Sequence, residues 1–274
     1  MKGGNGKTPK MMQKLIPIKK SILLSFLMIL LIFPVDFIQA ESERGAVGIT
    51  SVYDERRGSI FTVEIYAKNI NKMASGQIKL EFDPSTLRAQ EITQGEMLNG
   101  FLYVDDQLTR AQTGEIQAAW ASASGVSGDG ILLSIDFRLM TTNGESPLDL
   151  SKVRLFDEAG NEMNTLIMSG DVKPFSGARE KRETPVNTKK DWTVRFSSPV
   201  APASVNNRTV YVLNSSGEKI NTDLTVVQGG RAIKIEPTTS YEQGDYTLIV
   251  TEQLQSRTGT ALKQAVKMEF NVKD

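Results

Sequence analysis

The amino-acid sequence predicts an all-β protein, with two β-sandwich domains behind an N-terminal signal peptide. Three observations carry that prediction. Short apolar runs alternate with polar residues at the period of a half-buried strand, as Ile78, Leu80 and Phe82 do against Gln77, Lys79 and Glu81. Clusters of Gly, Asp, Asn and Pro stand between these runs and set turns. Beyond residue 40 no stretch holds a sustained helical repeat, although short helical turns fit around Glu96–Leu98 and Ser85–Leu87.

Residues 1–40 read as the signal peptide. Lys10, Lys14, Lys19 and Lys20 precede an apolar run from Ile22 to Phe33, and Ile38, Gln39 and Ala40 end it on a small residue. The run is short for a bilayer, and Pro34 and Asp36 close it. No stable membrane span is therefore expected after cleavage; a retained anchor is the rival reading. Met11 or Met12 is an alternative start. Cleavage after Ala40 removes six Lys and one Asp from a chain of 32 basic and 32 acidic residues, leaving 26 against 31. That mildly acidic balance gives no reason to expect nucleic acid as a partner. The expected location is secreted, extracellular or at the cell surface.

The first domain is expected over 41–172. Phe61, Val63 and Ile65 alternate with Thr62, Glu64 and Tyr66. The strand ending at Phe82 meets Asp83-Pro84-Ser85, where Pro84 cannot donate to a ladder. Ile116, Ala118 and Trp120 share one parity. After Gly128-Asp129-Gly130, so do Ile131, Leu133, Ile135 and Phe137. From Lys173 to Asp191 the alternation breaks, and Pro174, Gly177, the charged Arg179–Glu183 and Pro185 read as an exposed linker over 173–191. Alternation resumes at Trp192, Val194 and Phe196 and continues to Val272, so a second sandwich is expected over 192–274.

Two absences narrow the chemistry. Without Cys there are no disulfides, so both domains must hold by packed cores. Without His the usual nucleophile–base pairs and the commonest zinc ligand are gone. The adjacent carboxylates Asp54-Glu55, Asp105-Asp106 and Asp157-Glu158 point to opposite faces on a strand, or to water on a turn. No catalytic residue, metal ligand or cofactor is therefore expected. Asp157, Glu158, Asn161 and Glu162 offer hard oxygen atoms but lack calcium-loop spacing, so a hairpin turn at Gly160 is the simpler reading.

The motif order of the first domain resembles the cohesin domain of bacterial extracellular proteins. It runs from Gly76–Leu87, with its aromatic-Asp-Pro segment, through Gly128–Phe137 to Phe156–Glu162 and Ser169–Val172. The second resembles bacterial Ig-like domains of surface-layer and other exported proteins. That likeness rests on Trp192–Val200, Ala203–Val205, Ile235–Pro237, Gly244–Leu248 and Ser256–Leu262, with Tyr246 as a corner tyrosine. The first resemblance implies docking of a dockerin-like protein module on a flat sheet face. An Asn-x-Asp pair commonly sits there in type I cohesins, and the matching positions are Ser75 and Gln77, so the charged member is missing.

The candidate partner-binding residues are Ser75, Gln77, Lys79, Trp120 and Ser122. Trp120 is core by its parity with Ile116 and Ala118, or a platform beside the small polar loop Ser122–Gly128. Direct polysaccharide binding is the alternative function, and a structural role in the cell envelope is a third. With two Trp and six Tyr, the chain has few aromatics to spare for a sugar-stacking row.

Overall fold

A computed structural model describes residues 44–105 and 108–273; the expected signal peptide lies outside them. The described residues contain strands and short 3-10 turns but no α-helix, so none crosses a membrane as a helix.

The first sandwich is built on two long strands, β3 (Ile60–Phe82) and β6 (Glu115–Leu139), each shared by both sheets. The sequence pattern suggests four separate strands here. They fuse because Asn69 and Lys72, both at positive φ, bulge β3 without ending it. One sheet runs β5 (Leu102–Asp105), β6, β3, β7 (Ser146–Asp157), β9 (Gly170–Lys173), β2 (Val52–Tyr53). The other runs β4 (Leu87–Gln94), β6, β3, β1 (Gly45–Ile49), β8 (Thr165–Met168), with β1 and β8 parallel. Between them Ile65, Leu80, Leu133, Ile135 and Phe137 are fully buried, and the Phe82 and Phe137 rings meet edge-on at 4.9 Å.

The second sandwich pairs a five-stranded sheet with a three-stranded one. The larger runs β10 (Ala178–Lys181), β17 (Val266–Val272), β16 (Gly244–Val250), β12 (Val210–Asn214), β13 (Lys219–Ile220). The smaller has β15 (Ala232–Pro237) between β11 (Trp192–Arg195) and β14 (Thr222–Val227). Its core gathers Trp192, Val212, Ile233, Leu248 and Phe270. The Tyr246 hydroxyl donates to Glu242 O at 3.0 Å, bracing the corner that precedes β16.

The expected linker needs correction. Ala178–Lys181 pairs in parallel with β17, and Val186 bridges Val272, so much of 173–191 is an edge of the second sandwich. An edge strand held through its backbone needs no apolar alternation, which is why the pattern missed it.

The two sandwiches also touch broadly. The outer face of the β4–β6–β3–β1–β8 sheet carries Tyr66, which packs with Ala46, Leu166 and Met168 against Ala201 and Ala203 of the second domain. Alternation alone puts Tyr66 on a wet face, yet it is only 1% exposed. Gly48 makes room for its ring, since a Cβ there would sit 2.5 Å from the Tyr66 hydroxyl.

Candidate functional site

The opposite outer face, on β5–β6–β3–β7, is open. Cross-strand register builds it in rows. Leu102, Ala121, Ser75 and Phe156 form the first, and Val104, Ala119, Gln77 and Arg154 the second. Gln117, Lys79 and Lys152 follow, then Glu115, Glu81 and Asp149. The β5 and β6 positions of the upper rows are apolar, and the lower rows are mostly charged. Leu102 is 75% exposed and Val104 60%, the two largest exposures among the big apolar side chains of the described residues. The Arg154 guanidinium lies 4.9 Å from the Phe156 ring centre and pairs with both Glu162 oxygens at 2.9 Å.

Below them sits a charge cluster. Lys79 Nζ lies 2.7 Å from Glu81 and 2.9 Å from Glu115, and Arg110 reaches Glu115 at 3.0 Å. The hydrogen bonds from Lys79, then Gln117 and Arg110, pull the Glu115 carboxyl down to about 2. Lys79, then Ser151, hold the Glu81 carboxyl below its ordinary value, and Glu81 and Glu115 hold Lys79 above its own. Lys152 stands beside this cluster, exposed and with no ion-pair partner among the described residues. The face thus combines an apolar strip, a satisfied charge cluster and, at Lys152, a cation without an ion-pair partner among the described residues. Among the described residues no group of His, Cys, Asp and Glu is arranged to hold a metal ion.

Ser75, Gln77 and Lys79 share this face, half-buried by their neighbours. Trp120 does not, and its inclusion as a surface contact is corrected. It is 3% exposed and packs inward across Gly76, its strand partner, where any Cβ would come within 2.5 Å of the indole. Its Nε1 has no partner there. Ser122 follows on the same inward parity, and its Oγ accepts from Ser124 N at 3.2 Å. The Asp157–Asn161 segment is a turn. Asp157 Oδ1 accepts from Ala159 N and Asn161 N at 2.9 and 2.8 Å, and Gly160 has φ 82°. The Asn161 side-chain amide, which donates to Asp157 Oδ2 at 3.0 Å, and then these backbone bonds hold the Asp157 carboxyl below its ordinary range.

Sequence reasoning missed Leu102, Val104, Ala119, Ala121, Lys152 and Arg154. A signal existed in Leu102-Tyr103-Val104, whose outer members straddle an inward tyrosine. Apolar residues on both parities leave the outward set undetermined until the partner strand is known.

Comparison with known proteins gives two family matches, the cohesin domain over 45–173 and the bacterial Ig-like domain over 177–272. Among solved structures, a non-cellulosomal cohesin from the archaeon Archaeoglobus fulgidus is 22% identical. It covers 48% of this chain and 92% of its own, with a TM-score of 0.43. A type I cohesin–dockerin complex from Clostridium thermocellum matches at 18% identity over 48% of this chain and 99% of the other, with a TM-score of 0.43. A type II cohesin from the cellulosome of Acetivibrio cellulolyticus matches at 16% identity, 47% and 95% coverage and a TM-score of 0.41. No curated protein matches the chain.

Proposed function

We propose that this chain, which joins a cohesin domain to a bacterial Ig-like domain, is a non-catalytic docking protein of the cell exterior that binds a dockerin-like module on its β5–β6–β3–β7 face. The observation that supports this most is the contrast between its two outer faces. One is covered by the chain's own second domain, while the other presents Leu102 and Val104 to solvent. A flat face binds through a few central side chains ringed by near-neutral contacts. Here the apolar strip of Leu102, Val104, Ala119 and Ala121 would supply the anchor, and Ser75 and Gln77 the hydrogen bonds. Lys152 favours a partner with a carboxylate at the lower end of the face.

Ser75 and Gln77 stand where an Asn-x-Asp pair is common in type I cohesins, so recognition without a charged central pair should lose little affinity with salt. Direct polysaccharide binding draws less support. None of the strongly exposed large apolar side chains among the described residues is aromatic. Calorimetric titration against calcium-loaded dockerin modules, beside pull-down on insoluble cellulose and chitin, tests the reading. Saturable 1:1 binding to a dockerin supports it, and retention on polysaccharide without any dockerin binding overturns it.

A further inference from the structure

The interface between the two domains is built as carefully as either core. At its centre is Gln253, 5% exposed, on the segment after β16. Its Nε2 faces the backbone carbonyls of Ile49 and Ser169, the latter at 2.9 Å, while its Oε1 accepts from Ser51 N at 3.2 Å. One side chain of the Ig-like domain thus satisfies the backbone where β1 ends and β8 gives way to β9. Without it the Ile49 and Ser169 carbonyls and the Ser51 amide would lose these partners in a buried to part-buried setting, at a cost that folded proteins avoid. Gln255 Nε2 adds a bond to Ile167 O at 3.2 Å.

Around this plug lie charged contacts. Arg208 meets Glu64 at 2.8 Å and covers the Tyr66 ring at 4.6 Å. Glu252 accepts from the Tyr53 hydroxyl at 2.5 Å and pairs with Lys173 at 3.4 Å. Lys267 reaches Asp54 at 2.5 Å. An Ig-like unit acting only as a spacer would need neither this set nor the apolar packing on Tyr66, since domains joined by a small polar contact ordinarily move against each other.

We infer that the Ig-like domain is an obligate intramolecular partner of the cohesin domain. It occupies the Tyr66 face and is latched through Gln253, so the two sandwiches fold and unfold as one cooperative unit and present the open face at a fixed orientation. The chain's two tryptophans report the domains separately, Trp120 in the first core and Trp192 in the second. In the full chain, calorimetry should show one transition. In Trp120→Phe, the midpoint read by Trp192 should fall together with that of the first domain, although the change lies in the other core. Gln253→Met keeps the length but removes both the Nε2 donor to the backbone carbonyls and the Oε1 acceptor of the Ser51 amide. It should lower the common midpoint by about 2–10 °C or split it in two, and speed exchange of the Ser51 amide. Two transitions in the unmodified chain, or a Trp192 midpoint unmoved by Trp120→Phe, would overturn the inference. Ser51 exchange unchanged in Gln253→Met would remove Gln253 as the latch and with it the proposal as stated.

Discussion

Lys79 illustrates how a single residue divides its work. It lies on the proposed docking face, yet its ammonium is committed to Glu81 and Glu115. Replacing it with Met should raise the Glu115 carboxyl from about 2 toward its ordinary value, which a carbon-detected NMR titration would follow. The sign is that of a depressed carboxylate. Its stabilising contribution is complete above the ordinary glutamate range and disappears as pH falls toward 2. With no His in the chain, stability and docking should both be flat between pH 5 and 8. At the core, Phe82→Ala and Phe137→Ala should each cost about 3–5 kcal/mol by thermal melts, since both rings are buried against each other. If the domains are coupled, the Trp192 signal should move with them.

At the scale of elements, β5 supplies the exposed apolar strip of the proposed docking face. Leu102→Asp and Val104→Asp alter side chains that are already wet, so melting temperatures should stay within a degree or two. Partner affinity should fall at least about tenfold, because a charge replaces the apolar anchor. The segment after Lys173 behaves differently from a free tether. Arg179 lies on β10, so trypsin should cut it slowly, while Arg182 and Lys189 are exposed and should be nicked first. Under native conditions the nicked halves should stay together.

Across the whole molecule, the sequence made some layers legible and hid others. Alternation at Ile78–Phe82 and Leu133–Phe137 revealed the strands and their inner face, because one buried side imposes a period of two. It could not reveal that β3 and β6 run on through bulges into a second sheet, since bulges obey backbone geometry. Tyr66 looked solvated by parity and is buried by a domain far along the chain. Trp120 has the parity of core, and Gly76 opposite explains where its ring goes. The site residues on β3 were legible from the motif that follows them. Those on β5 and β7 join the face only through pairing, which no local pattern encodes.

The central claim is the proposal that the open β5–β6–β3–β7 face of the first sandwich docks a protein module. Its most direct test is calorimetric titration of the full chain and of Val104→Asp against a panel of calcium-loaded dockerin modules. The account predicts saturable 1:1 binding to at least one module, weakened at least about tenfold by Val104→Asp without loss of fold. Equal affinity for the two proteins, or no binding to any module beside clear retention on cellulose or chitin, would contradict it.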